Sequence, residues 1–395
     1  MDLTVQSKTT MTTGTSKSST AVTSENHQHN SQRWVIKIGS ALISNNGRDL
    51  AHAALDKWVP QIAALIRRGE QVVLVSSGAV SEGVKRLGWQ KRPDTVHELQ
   101  AAAAIGQAGL IQAYESRFQR FDIQTAQILL VRGDLASRDR YLNARQTLKS
   151  LLQLTVIPIV NENDTVATDE IRFGDNDTLA GLAANLIDAD KLLILTDQKG
   201  VYTDDPRKNP QAKLINSCDA HDKALDTAAR GSGNALGRGG MQTKIRAARL
   251  AARSGTTTII ANGNETDIIT RISNNEAMGT TLTSSRKPIT ARKQWLAGSL
   301  QVKGSLQLDN GAINALKNTG VSLLPIGVKL VEGNFQCGEL VSCVDEHHNE
   351  IARGLTNYNA HEAKQVAGKS GAELNDTLGY TGEPEIIHRD NLVLL

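Results

Sequence analysis

From Arg33 onward the chain alternates short β-branched runs with longer stretches of helical apolar spacing, an order that few architectures accept. Trp34-Val35-Ile36-Lys37-Ile38 reads as a strand and is followed by a Gly39-Ser40 turn. Ala53 to Arg68 carries Leu55, Val59, Ile62, Ala63 and Ile66 at helical spacing, with Gly69 where a C-cap belongs. Strands then fall at Gln71 to Val75, Ile123 to Val131, Thr155 to Val160, Lys191 to Leu195 and Thr256 to Ala261. Between them the spacing predicts helices over Thr95 to Phe121, Asp139 to Leu152, Ala180 to Ile187 and Met241 to Ala252. Such repetition predicts an α/β fold, an open and mostly parallel sheet sandwiched between helices. Near Lys287 the pattern changes to short strands punctuated by Gly298, Gly304, Gly311, Gly320, Gly327, Gly333 and Gly338. That stretch predicts a small, mostly β second domain over residues 295–382, beside a first domain over residues 33–286.

Residues 1–32 are rich in Ser, Thr, Asn and Gln and lack apolar periodicity, which predicts a disordered tail or a true start at Met11. They contain no continuous apolar core of a secretory signal, and no run is long enough to span a membrane. Three cysteines, Cys218, Cys337 and Cys343, are too few and odd in number for a disulfide framework, which places the chain in a reducing, cytoplasmic setting. A net charge of +3 over 395 residues does not make a general nucleic-acid or membrane surface.

The densest polar segment is Asn161-Glu162-Asn163-Asp164, closed by Gly174-Asp175-Asn176-Asp177. It follows a buried-strand pattern, so these carboxylates and amides sit where open α/β sheets place ligands. Two solvated turns would use the same residue types. Gly237-Arg238-Gly239-Gly240-Met241-Gln242-Thr243-Lys244 runs from a glycine-rich loop into a helix, where free N–H groups and the helix dipole suit an anion. It is not a Walker A sequence, because Lys follows Thr, and a flexible linker would look similar. Lys37 interrupts an apolar strand. Either its ammonium emerges at the ligand edge of the sheet, or it guards an edge strand against aggregation.

Ser76-Ser77-Gly78-Ala79 ends a strand and opens a helix without the G-x-S-x-G of a serine hydrolase, and suits an anionic ligand better. Thr196-Asp197 ends its strand in the same way. His388-Arg389-Asp390 lacks every other protein-kinase signature, and the spacing of Cys337, Cys343, His347 and His348 departs from zinc patterns. Two lysines, a glycine-rich helix start and a carboxylate/amide pocket point to phosphoryl transfer, which needs cations around phosphate and little covalent work from the protein.

At these residues the chain resembles the amino acid kinase superfamily, and within it the glutamate kinases. Val35-Ile36-Lys37-Ile38-Gly39-Ser40, Val75 to Ala79, Tyr141-Leu142-Asn143-Ala144-Arg145, Asn161 to Asp164, Phe173 to Asp177, Leu195 to Tyr202 and Gly237 to Lys244 carry the likeness. The segment after Trp295 resembles a PUA domain, a small β-barrel-like module, through Gly311-Ala312, Ser322 to Gly327 and Gly333-Asn334-Phe335 with Gly338-Glu339.

The resemblance implies that the γ-carboxylate of L-glutamate attacks the γ-phosphate of ATP, giving glutamate 5-phosphate for proline synthesis. It implies catalytic roles for Lys37, Lys244 and Asp177, the aspartate orienting both lysines. Ser77, Asp164 and Asn176 match glutamate-binding positions. Lys37, Thr196, Asp197 and Gly237, Arg238, Gly239, Gly240, Met241, Gln242, Thr243 and Lys244 match nucleotide-binding positions. Mg²⁺ would bridge phosphate oxygens and keep its waters, so no protein residue is assigned as a metal ligand. Proline as a feedback inhibitor, a homo-oligomer and RNA contact through the PUA-like module complete what the likeness implies. Ala41 stands where many members have a second serine. The rival readings are a relative acting on aspartate, N-acetylglutamate, carbamate or a nucleotide, and an RNA-binding regulatory protein.

Overall fold

The structure, a computed structural model, describes residues 31–44, 50–131, 133–134, 138–166, 176–231, 240–284 and 302–394. Residues 1–30 of the N-terminal tail, the glycine-rich positions Gly237, Arg238 and Gly239, and the domain junction near Lys287 lie outside the described residues.

Among the described residues eight strands form the larger sheet: β1 (Arg33–Ile38), β2 (Gln71–Ser76), β3 (Thr125–Leu130), β4 (Ile157–Glu162), β5 (Lys191–Thr196), β6 (Ser217–Asp219), β7 (Thr257–Asn262) and β8 (Thr280–Thr283). Their order across the sheet is β3-β4-β2-β1-β5-β7-β8-β6. Neighbours from β3 to β7 all pair in parallel. β8 runs antiparallel to β7, so the sheet is mostly and not wholly parallel. The chain leaves β1 first towards β2 and later returns to its other side as β5, which makes the carboxyl ends of these central strands a topological switch point.

Helices cover both faces. They are α1 (Ser40–Ile43), α2 (His52–Arg67), α3 (Ala79–Arg86), α4 (Val96–Phe118), α5 (Arg138–Gln153), α6 (Asn176–Ile187), α7 (Ala224–Gly231), α8 (Met241–Ala252) and α9 (Ile268–Ser273). Side chains alternate along each strand, so β1 sends Trp34, Ile36 and Ile38 into a core with α2 and α4, and Val35 into a core with α6 and α8. The same alternation divides Val72 and Leu74 from Val73 and Val75 on β2, and Leu193 and Leu195 from Leu192 and Ile194 on β5. Each fully buried Val, Leu or Ile contributes roughly 1.5–3 kcal/mol, which makes a one-residue slip of a central strand prohibitive.

Several element boundaries differ from the sequence reading, two of them with a clear consequence or cause. The fourth strand begins at Ile157 rather than Thr155, because Thr155 has a left-handed φ of 58° that no strand accepts. The helix expected from Ala180 begins at Asn176, so Asn176 and Asp177 belong to its first turn and not to a loop. A carboxylate there is favoured by the helix dipole.

α6 is anchored at its far end by Arg145 of α5. The Arg145 guanidinium donates to the carbonyl of Leu186 at 2.6 Å and pairs with Asp188 at 2.6 Å. α6 and α8 also touch closely: a Cβ on Gly181 would lie 2.6 Å from the Ala247 carbonyl oxygen. Only glycine permits that approach, which brings the first turns of the two helices side by side.

The second sheet comprises β9 (Gly304–Leu308), β10 (Val328–Gly333), β11 (Leu340–Val344), β12 (Glu350–Leu355) and β13 (Leu392–Leu394), in the order β10-β9-β11-β12-β13. Its core joins Leu306, Leu308, Val341 and Phe335 to Leu316 of α10 (Asn310–Thr319) and Val366 of α11 (Ala360–Val366). Cys343 lies in that core, where burial pushes its thiol up to about 12, while Cys337 is exposed. Among the described residues no helix is long and apolar enough to cross a membrane.

Candidate active site

Lys37 stands near the carboxyl end of β1, opposite Val75 of β2 and Ile194 of β5. This central position removes the edge-strand reading of the lysine. It shares the face of Val35 by strand alternation, and so lies under α6 and α8. Its ammonium is 2.7 Å from Asp177 Oδ1, and that of Lys244 is 3.0 Å from Asp177 Oδ2. The Thr243 hydroxyl donates to Asp177 Oδ2 at 2.6 Å. All four side chains are buried.

Burial alone would raise the Asp177 carboxyl, but the Lys37 and Lys244 ammonium groups hold it well below the usual carboxylate range. Two cations on one anion leave the cluster with surplus positive charge under low-dielectric walls, an arrangement complementary to a phosphate. Gly39 keeps the adjacent backbone open. A Cβ there would lie 3.1 Å from the Leu195 carbonyl oxygen and 3.8 Å from the Lys37 ammonium.

From the same sheet edge a set of neutral groups runs from the start of α6 across to the face covered by α4. Asn176 Nδ2 donates to Ser77 Oγ at 2.9 Å and Asn161 Oδ1 at 3.0 Å, and lies 3.2 Å from the Ser76 carbonyl oxygen. Asn161 Nδ2 in turn donates to Gln107 Oε1 of α4 at 2.8 Å. Ser76 Oγ and the Tyr114 hydroxyl share a bond of 2.9 Å. Asn161 and Glu162 therefore end β4 as buried strand residues, although the sequence allowed them as turn residues. Asp164 follows in the turn beyond β4, where burial pushes its carboxyl up to about 6 against the pull of Arg92.

At the end of β5 the buried Thr196 hydroxyl donates to Asp197 at 3.1 Å. Beyond it Asp197, Gln198, Lys199, Tyr202, Pro206 and Arg207 line a cleft of about 280 Å³. Gly240 caps α8 in an extended conformation, and Met241, Gln242, Thr243 and Lys244 form that helix's first turn. The structure thus gathers Lys37, Ser77, Asn176, Asp177, Thr243 and Lys244 at one sheet edge. Thr196 stands at the same edge of the next strand, β5.

Gln107 was not legible as a site residue, but a signal existed. It falls on the buried stripe of α4 formed by Leu99, Ala103, Gly106, Leu110 and Tyr114, where an amide needs a partner. Tyr202 and Arg207, which line the cleft, lie just beyond Thr196-Asp197 in a turn-rich segment.

A parallel sheet with ligand groups at its switch point, and two buried lysines on one carboxylate, defines a phosphoryl-transfer enzyme of the α/β class. The chain belongs to the amino acid kinase family, which residues 32–262 match, and residues 304–378 match the PUA domain. It is 57% identical over 365 residues to the glutamate 5-kinase of Nitrosospira multiformis, covering 92% of this chain and 98% of that one. The glutamate 5-kinase of Saccharophagus degradans is 59% identical over 365 residues, with the same coverage. Among solved structures, a UMP kinase from Ureaplasma parvum overlaps 64% of this chain and 99% of its own at 16% identity, with a TM-score of 0.45.

Proposed function

We propose that this chain transfers the γ-phosphoryl group of ATP to the γ-carboxylate of free L-glutamate, giving L-glutamate 5-phosphate for proline synthesis. The observation that carries the reading is the Lys37–Asp177–Lys244 cluster at the switch point. The acceptor carboxylate is ionised at neutral pH, so its attack needs no general base. Lys37 and Lys244 neutralise the charge that accumulates on the transferring group, and Asp177 keeps both ammonium groups in place. Ser77, Asn176 and Asp164 hold the amino acid, with Asp164 taking its ammonium. Thr196, Asp197 and the segment Gly237 to Lys244 hold the nucleotide, with the cleft beside Asp197 for its base.

Both oxygens of Asp177 are engaged by lysines, so Mg²⁺ fits here as a phosphate-bound ion that keeps its waters rather than as one in a carboxylate cage. Bound to ATP, it would neutralise charge on the phosphate oxygens.

The domain limits belong to the same proposal: a catalytic unit over residues 33–286 and a small unit over residues 295–382, extended by the strand Leu392–Leu394 that pairs with β12. Cytoplasmic location, a homo-oligomer and feedback inhibition by proline within the glutamate pocket complete it. RNA is a second partner of the small unit, tested by salt-dependent retention of the full chain on RNA.

The primary test is an ATP- and hydroxylamine-dependent hydroxamate assay with L-glutamate, L-aspartate and N-acetyl-L-glutamate. Product from glutamate alone is expected. Product from aspartate or N-acetylglutamate in its place would overturn the substrate, and inhibition by proline that is purely noncompetitive with glutamate would overturn the shared pocket.

A further inference from the structure

The three amides Asn176, Asn161 and Gln107 form a chain whose direction is set by one backbone atom. A carbonyl oxygen only accepts hydrogen bonds, so the Ser76 carbonyl fixes the amino group of Asn176 on its side. That amino group then meets the carbonyl of Asn161, whose own amino group meets the carbonyl of Gln107. The relay leaves one donor at one end, Gln107 Nε2, and one acceptor at the other, Asn176 Oδ1. Both atoms are buried, and neither has a hydrogen-bond partner among the described residues. A buried amide left unpaired is costly, and such groups in native proteins commonly await a ligand or water.

We propose that Gln107 Nε2 reads the α-carboxylate of the amino acid substrate, making Gln107 a specificity-determining residue of the site. The inference rests on the glutamate-kinase reading above. The strand order supports the assignment of ends. Lys37 is on β1, Asn176 bonds beside the end of β2, and Asn161 ends β4, so the relay leads away from the phosphoryl-handling lysines. The carboxylate that reacts belongs at the lysines, and the one that is only recognised belongs at the far end, beside a fixed N–H donor. A donor whose carbonyl is already engaged cannot turn to offer an oxygen. The relay therefore discriminates an anionic acceptor from a group that presents N–H bonds.

The decisive variant is Gln107→Glu. It keeps an oxygen to accept from Asn161 and replaces the donor with an acceptor. The full-length chain is assayed with L-glutamate and with glutamate α-amide, which retains the reactive γ-carboxylate, by hydroxamate formation. Wild type is expected to favour glutamate. In the variant, KM for glutamate rises by about 10- to 100-fold, KM for ATP changes by less than about twofold, and the preference shifts towards the α-amide. A purely structural role would weaken both substrates equally, and that result, or an unchanged preference, overturns the assignment. If Gln107→Glu does not fold, Gln107→Met removes the donor without burying a charge. An unchanged KM for glutamate in that variant is equally fatal. Wild type that is inactive on glutamate sinks the underlying reading and this inference with it. An active wild type with an unmoved variant sinks only the inference.

Discussion

The two faces of one sheet edge are built from opposite materials. Under α6 and α8 lie charges: Lys37, Asp177 and Lys244, packed within hydrogen-bond distance and shielded from water. Beside α4 lie neutral amides and hydroxyls: Gln107, Asn161, Ser76 and Tyr114. Buried charge is tolerated only where it is compensated, and it interacts strongly with any further charge that enters. Neutral relays have short reach but exact direction. The first material suits stabilising a transition state, and the second suits choosing what enters. Substitutions on the charged face should therefore move kcat, and those on the neutral face should move KM.

The largest effect is expected at Asp177. Asp177→Asn leaves two buried ammonium groups without their shared carboxylate, costing about 3–5 kcal/mol in urea unfolding. The same change should lower kcat by about 10³-fold. Retention of kcat within about tenfold would break the comparison at its strongest point. Acid sharpens it further. The depressed Asp177 carboxyl contributes stability that is present above the usual carboxylate value of about 4 and is lost as pH falls through its folded value.

Lys244→Ala comes next, with kcat reduced about 10²-fold and KM for glutamate within about threefold, measured by steady-state kinetics. Equal changes in both constants would mean that the lysine binds the ground state as well as the transition state.

At Asp164 the expected signature is a pH profile. Its carboxyl, raised to about 6, must be ionised to hold an ammonium. KM for glutamate should then climb by about tenfold per unit as pH falls below about 6, while remaining flat above it. Asp164→Asn should abolish that dependence, and a profile shared by wild type and variant would remove Asp164 from the pocket. The linked stability runs in the opposite sense to that of Asp177. A raised carboxyl favours the fold below its unfolded value, and that contribution is lost as pH rises through about 6.

Tyr114→Phe is the mildest test. It removes one hydroxyl while Ser76 Oγ keeps its bond of 3.0 Å to the Ser77 carbonyl. A cost of about 1 kcal/mol in thermal unfolding is expected, with kcat nearly unchanged. A large fall in kcat would place this face in the chemical step.

The strands of the large sheet were legible because buried β-branched runs bounded by turn residues have few other readings. Lys37 was legible as an anomaly within one of them. Its face was implicit as well, since Val35 and Lys37 share a parity, but the partner on that face was hidden by the early start of α6. Asn176 and Asp177 are turn formers by composition, and only the packed helix behind them shows that they open a helix. Ser217–Asp219 and Thr280–Thr283 are too short to carry a pattern, and their pairing depends on neighbours distant in sequence. Gln107 stayed hidden in an alanine-rich helix, where its only signal was polarity at a core position. The glycine-rich positions Gly237, Arg238 and Gly239 lie outside the described residues, and their anion-binding role rests on the sequence alone.

The clamp on α6 has a mechanical consequence. The helix holds Asp177 at one end and is tied by Arg145 at the other, through the Leu186 carbonyl and the Asp188 carboxylate. A rod fixed at both ends does not slide along its axis. During turnover α6 then serves as a stationary reference for the groups it carries. Hydrogen–deuterium exchange during catalysis would register this as slow exchange along α6 that substrate binding leaves unchanged.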